Sequence, residues 1–87
     1  MSQREIRRLR REMDALNRKL VSLYLRRVAL AVKITEKKTA LGWPAVDPAR
    51  EKEMLALRYL RSPRARAMAR EFLRGCFLLT KRHGGIY

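Results

Sequence analysis

The sequence is poor in the residues that cross-link small proteins. It contains one cysteine among 87 residues, so no disulfide can form within the chain, and one cysteine with one histidine falls short of a zinc site. A chain of this length, folding alone, buries only a low fraction of its surface. We expect residues 1–87 to form one domain that is stabilised by oligomerisation.

Long apolar runs are also missing. No stretch approaches the roughly 20 consecutive apolar residues that a membrane-spanning helix needs. The basic start "MSQREIRRLRRE" is not followed by an uninterrupted apolar segment, so a secretory signal is not predicted either. We therefore expect a cytoplasmic protein with no membrane partner.

Acidic residues are scarce beside basic ones. The chain has 8 Asp and Glu against 22 Lys and Arg, which gives a formal net charge of +14. Such an excess attracts anions, whether nucleic acid, acidic lipid, an acidic protein or a small polyanionic substrate. There is no helix-turn-helix signature, and the few aromatic residues are not interleaved with arginines as stacking platforms. Nucleic acid is therefore disfavoured as the principal partner.

The residues present predict helices. Glycine and proline are absent from Gln3 to Ala40, where apolar residues recur every three or four positions. This pattern predicts one helix of about 36 residues, near 54 Å long, which ends at Gly42 and Pro44. Because so long a helix cannot bury its own apolar face within a compact monomer, we expect it to pair with its twin in a homodimer.

Two further helices are predicted from their start signals. In Asp47-Pro48 and Ser62-Pro63, a capping side chain precedes a proline, which is typical of a helix N-terminus. The third helix is expected to run to about Arg82, before "HGGIY" frays. The predicted apolar face of the second helix comprises Met54, Leu57 and Leu60. The predicted buried face of the third comprises Ala65, Met68, Ala69, Phe72, Leu73, Cys76, Phe77 and Thr80. With no strand pattern, the fold class is all-α.

An arginine interrupts the apolar seam of the first helix. The seam comprises Ile6, Leu9, Met13, Leu16, Leu20, Leu23, Leu30 and Ile34. The step of four after Leu23 lands on Arg27. A buried guanidinium without an anion is costly, so Arg27 either lies half-exposed at the helix edge or meets an anionic partner or a bound anion.

Two more cations are placed by helical geometry. Lys38 lies 11 residues after Arg27, within about 20° of the same face and about 16 Å away, so both long side chains can converge on one small anion. Arg10 lies 17 residues before Arg27, about 25 Å away. It can reach such a site only from the twin helix of an antiparallel pair.

Three segments carry a family resemblance: "LRREMDALNRKL", "LRRVALAV" and "DPAREKEML". In this order, without a gap over residues 9–55, they resemble the all-helical chorismate mutases of the AroQ class. The resemblance implies an intertwined homodimer with shared active sites, which converts chorismate to prephenate in phenylalanine and tyrosine biosynthesis. This Claisen rearrangement needs no metal or cofactor. Catalysis consists of holding a dianion folded and stabilising charge on its ether oxygen.

The resemblance also implies residue roles. Arg10 would come from the other subunit, and Arg27 would bind a carboxylate. Lys38, favoured over Lys37 by the ungapped match, would address the ether oxygen and a carboxylate.

The same resemblance extends to the second and third helices. Asp47 would sit at the end of the substrate-facing loop, Arg50 would orient a carboxylate and Glu51 would bind the substrate hydroxyl. Without the resemblance, these three are a helix cap and two solvated first-turn residues. Thr80 best fits a hydroxyl position of the family.

One family position is not matched. The family's C-terminal Gln or Glu falls on His83 or Gly84, and losing one donor to the ether oxygen costs about 2.7–4 kcal/mol by analogy with an oxyanion hole. Either His83 substitutes, or the enzyme is slow alone. The short C-terminal tail also resembles small family members that are activated by docking onto a partner enzyme of the same pathway.

Three alternatives stay open. An isochorismate pyruvate lyase resembles this fold and uses similar cations, although Glu51 favours the mutase. A non-catalytic basic helical protein that regulates a pathway enzyme is the second alternative, and one that binds nucleic acid is the third.

Overall fold

A computed structural model describes residues 2–84, which form three helices and no strand. The helices are α1 (Gln3–Leu41), α2 (Pro48–Ala56) and α3 (Pro63–Arg82). The all-α prediction is confirmed, and α1 is slightly longer than expected at 39 residues. Residues 85–87 of the "HGGIY" segment, which was expected to fray, lie outside the described residues.

The end of α1 is fixed by backbone geometry. Gly42 has a φ of 69°, in the left-handed region that favours glycine. The N–H groups of Gly42 and Trp43 donate to the carbonyls of Thr39 and Lys38 at 3.1 and 2.9 Å. This pattern is a Schellman motif, which satisfies the last carbonyls of the helix and turns the chain toward α2.

The starts of α2 and α3 match their predicted caps. The Asp47 carboxylate accepts the Arg50 N–H at 3.1 Å, and the Ser62 hydroxyl accepts the Ala65 N–H at 3.2 Å. A proline occupies the first turn of both helices. Each cap is formed by residues three positions apart, so local sequence was enough to predict it.

The end of α2 departs from the prediction. The helix stops at Ala56, so Leu57 and Leu60 lie beyond it rather than on its apolar face. Leu57 has a left-handed φ of 50° and is only 4% exposed. Burial of its side chain offsets the cost of that backbone conformation.

Two arginines of α3 satisfy carbonyls at and just after the end of α2. Arg70 donates to the carbonyls of Leu55 and Ala56 at 2.7 and 3.4 Å. Arg66 donates to the carbonyl of Leu60 at 2.7 Å. The last carbonyls of a helix carry its partial negative charge and lack partners within the helix. Part of the positive excess therefore stabilises the fold.

The core of the single chain is small. Ala31 of α1 and Phe77 of α3 lie at its centre, and three partly buried side chains pack against them: Met54, Leu55 and Leu73. Of the predicted buried face of α3, Cys76, Phe77 and Thr80 are buried. Ala65, Ala69 and Leu73 are half-buried.

Two residues of that predicted face are exposed instead. Met68 is 63% and Phe72 57% exposed in the single chain. Both lie beside the stripe of α3 that meets α1, because 100° steps carry them around the helix from Phe77 and Thr80. The periodicity identified the apolar arc of α3 but not the narrower part that the chain itself covers.

The single chain leaves its seam uncovered. Every described residue from 2 to 23 is exposed, and the seam residues are 37–58% exposed. The longest dimension is 58 Å and the radius of gyration is 16.8 Å, against about 12 Å for a compact domain of this length. Among the described residues, no helix has both the length and the apolar character required to cross a membrane.

Candidate active site

A cavity of about 530 Å³ lies between the second half of α1 and the start of α2. Its lining residues are Leu23, Arg26, Arg27, Leu30, Ala31, Ile34, Lys38, Asp47, Arg50 and Met54. Its size falls within the usual range for small-molecule sites. The lining contains four cationic side chains and one carboxylate, so the cavity favours a ligand with more than one negative charge.

Arg27 and Lys38 both line this cavity, as the helical geometry predicted. Arg27 is half-buried, and its guanidinium carbon lies 5.3 Å from the centre of the Phe77 ring. The Lys38 ammonium donates to the carbonyl of Ala45 at 3.2 Å, which ties the loop before α2 to α1. Lys37 does not line the cavity. The placement agrees with the choice of Lys38 over Lys37, while the catalytic role stays a prediction.

Asp47 and Arg50 bring α2 to the cavity. The Asp47 carboxylate caps the helix, and Pro48 fixes the direction in which the helix leaves it. The Arg50 guanidinium pairs with the Glu53 carboxylate at 3.0 Å, with side chains 56% and 70% exposed. A pair so exposed contributes little, so Arg50 can exchange this partner for an anion in the cavity.

Four other predicted site residues do not line the cavity in the single chain: Arg10, Glu51, Thr80 and His83. Arg10 is exposed on the first half of α1, far from Arg27 along a continuous helix. Glu51 pairs instead with the Lys81 ammonium of α3 at 2.8 Å.

Of the two C-terminal predicted residues, Thr80 lies on α3 and His83 caps its C-terminal end. Thr80 is fully buried, and its hydroxyl has no hydrogen-bond partner among the described residues. The Tyr24 hydroxyl lies 2.5 Å from Nδ1 of His83, and the two rings meet edge to face at 5.8 Å. His83 is thus held against α1 rather than directed into the cavity.

Sequence reasoning missed three contacts of this region. Arg26 lines the cavity, Phe77 lies beneath Arg27, and Lys81 pairs with Glu51. The neighbouring arginines at 26 and 27 were visible in the sequence, and both proved to face the cavity. The contacts of Phe77 and Lys81 depend on the register of α3 against the other helices, which local patterns do not carry.

Within residues 2–84, no three His, Cys, Asp or Glu side chains lie close enough together to hold a metal ion. The cavity itself offers a ligand four cationic side chains, the Asp47 carboxylate and apolar walls.

The fold and the cavity define a small helical protein with a cationic site between a long first helix and a short second one. The sequence model of the family described as chorismate mutase type II matches residues 9–82. Because the match includes most of the chain and all of its helical residues except the first six of α1, the chain belongs to this family. A comparison with curated proteins found no match.

Proposed function

We propose that the chain catalyses the rearrangement of chorismate to prephenate. The observation that carries this proposal is the convergence of Arg27, Lys38 and Arg50 on one cavity in a member of the chorismate mutase type II family. Chorismate has two carboxylates and an ether oxygen on which negative charge develops. Three cations therefore suit its transition state.

The proposed mechanism is conformational and electrostatic. The planar guanidinium groups of Arg27 and Arg50 bind carboxylates through paired N–H donors and hold the substrate in its folded form. The Lys38 ammonium is a compact charge that stabilises the breaking ether oxygen. Asp47 orients the start of α2, and Glu51 accepts from the substrate hydroxyl once the partner chain completes the site. Thr80 remains the best match to the family's hydroxyl position, although its fully buried hydroxyl does not reach the cavity in the single chain.

We also propose that the working form is a homodimer with Arg10 contributed across the interface. The exposed seam and the large radius of gyration support a second copy as the missing partner of α1. In an antiparallel pairing, the first half of one α1 lies over the midsection of the other. Arg10 then approaches the cavity of its twin.

The first experiment measures chorismate consumption by the purified protein and identifies prephenate as the product. Arg27→Ala is expected to lower kcat/KM on the order of 10²–10³-fold, because it removes a charged donor to a carboxylate. Arg18→Ala is the matched control. Arg18 lies on the same helix but is exposed and does not line the cavity, so its removal should leave turnover unchanged.

The family's C-terminal Gln or Glu, which falls on His83 or Gly84 here, affects the turnover rate expected of the chain alone. Gly84 has no side chain and His83 is engaged by Tyr24, so neither is directed at the cavity in the single chain. We therefore propose that turnover by the chain alone is slow, and that a partner enzyme of the same pathway raises it. The same assay, repeated with that enzyme present, tests this point.

Other outcomes would favour the alternatives. Release of pyruvate and salicylate from isochorismate would assign the lyase reaction instead. A folded dimer that leaves both substrates unchanged, yet binds nucleic acid with a steep salt dependence, would assign the positive charge to phosphate binding. Restoration of a pathway enzyme's activity by an inactive dimer would indicate a regulatory subunit.

A further inference from the structure

Arg27, which interrupts the apolar seam of α1, contacts an aromatic side chain of α3. Its guanidinium carbon lies 5.3 Å from the centroid of the Phe77 ring, within the range of a cation–π contact. Phe77 is only 5% exposed and packs against Ala31, one turn further along α1 from Arg27. A buried ring of the third helix thus supports an arginine of the first.

We propose that Phe77 is a positioning residue for the reaction: its ring holds the Arg27 guanidinium in the orientation that binds a substrate carboxylate. This inference rests on the proposed function. Phe77 would then have a role in substrate binding in addition to its packing in the core. The cation–π contact also explains how a seam of Leu and Ile accommodates an arginine.

The electrostatics of the phenyl ring suit it to hold a guanidinium that must also bind substrate. Its face carries negative electrostatic potential, which stabilises a half-buried cation. It has no carboxylate oxygen, so it competes far less for the N–H donors than an acidic side chain would. The guanidinium can therefore be held by the protein and still donate to an incoming carboxylate.

The burial of Phe77 also makes its contact with Arg27 rigid. Phe77 is fixed by core packing, whereas a free arginine side chain samples many rotamers. Binding a carboxylate to a mobile arginine requires ordering it, and that cost reduces affinity. An arginine already held against a fixed ring loses less conformational entropy when it binds a carboxylate. The contact therefore favours both substrate binding and the folded substrate geometry.

The test changes the electron density of the ring and leaves its shape nearly constant. Phenylalanine derivatives with one, two and three fluorine atoms are placed at position 77 by site-specific incorporation. Fluorine withdraws electron density from the ring face and so weakens the contact stepwise. We expect the Kd for chorismate, measured calorimetrically, and KM to rise at each step, by about 2- to 30-fold over the series.

Three controls make the result specific. The same derivatives at Phe72, an exposed aromatic of the same helix, should change neither constant. In an Arg27→Gln background, fluorination at Phe77 should no longer change chorismate affinity, because the cation is gone. Phe77→Tyr, which keeps an aromatic face, should bind chorismate more tightly than Phe77→Leu, which keeps only apolar bulk.

The outcomes separate this inference from the proposed function. A chorismate Kd that does not respond to fluorination at Phe77 overturns the inference, even if the protein makes prephenate. A graded Kd without any turnover supports the role of Phe77 in carboxylate binding and rejects the mutase. If the wild-type protein does not bind chorismate at all, both proposals fail together.

Discussion

Two consecutive lysines near the end of α1 have different surroundings. Lys38 lines the cationic cavity and donates to the Ala45 carbonyl, and it is half-buried. Lys37 is exposed and lies outside the cavity, along a groove beside Trp43 that Lys38 also borders. Neighbours on a helix differ by about 100° in direction, so one position decides which ammonium can meet a substrate.

We predict that Lys38→Met lowers kcat much more than Lys37→Met. Methionine keeps most of the length of the side chain but removes the charge that stabilises the ether oxygen, so the loss is expected on the order of 10²–10³ in kcat. Steady-state kinetics of both variants with chorismate measure the difference. Equal losses in the two variants would mean that general positive charge, rather than a placed ammonium, assists the reaction.

The sequence singled out Arg27 as a candidate site residue but did not predict the aromatic ring that contacts it. Arg27 stood out because it breaks a periodicity that is local to one helix. The ring beneath it belongs to α3, 50 residues later in the chain. Periodicity placed Phe77 in the core, yet nothing local could say which residue of α1 it would meet.

Among the elements, α2 depends most on its neighbours. It is nine residues long, and isolated helices of this length are marginal in water. It has no basic residue in its last turn, and Arg70 of α3 instead donates to its final carbonyls. Since Asp47 and Arg50 reach the cavity from α2, this contact also secures one wall of the site.

We predict that Arg70→Met lowers the free energy of unfolding by about 1.5–3 kcal/mol, the range for hydrogen bonds from a charged donor. Arg74→Met is the matched control, because Arg74 is exposed one turn further along α3. Its effect should stay within about 0.5 kcal/mol. Urea unfolding of both variants at one protein concentration checks this, since an oligomer's stability depends on concentration. Similar losses in the two would show that Arg70 acts only through net charge.

The helix ends show why element boundaries were partly predictable. Ser2, Asp47 and Ser62 cap through contacts three residues apart, and the Schellman motif at Gly42 is equally local. The end of α2 is set by tertiary contacts instead, through the buried Leu57 and the arginines of α3. The sequence therefore located every helix start, and it misplaced the one end that depends on another helix.

For the whole molecule, the exposed seam decides how the cavity is completed. The cavity opens beside Leu23, Leu30 and Ile34, which are members of the seam and are 42–58% exposed. A second copy that covered these three residues would therefore also border the cavity. Periodicity and length indicated this incompleteness, because a helix predicted to be about 54 Å long cannot bury its own apolar face within a compact monomer.

Mixing two inactive variants tests whether one active site is formed by residues of two chains. Arg10→Ala and Arg27→Ala are each expected to be nearly inactive as homodimers. In a mixed dimer, one site receives both substitutions and the other receives neither, if Arg10 acts across the interface. Random exchange makes about half of the dimers mixed, so an equal mixture should recover about a quarter of the wild-type activity.

The two geometries of Arg10 make opposite predictions for that mixture. If Arg10 acted on the cavity of its own chain, each site of a mixed dimer would carry one substitution, and mixing would restore nothing. Subunit exchange is verified by native mass spectrometry, with a mass tag on one variant. Lys19→Ala, at an exposed position outside the cavity, replaces Arg10→Ala in a parallel mixture with Arg27→Ala. In that control, activity follows the number of intact Arg27 side chains, about half of wild type, because position 19 contributes to neither site. Activity that rises in the first mixture only after exchange would therefore locate Arg10 in the partner's cavity and identify the dimer as the catalytic unit.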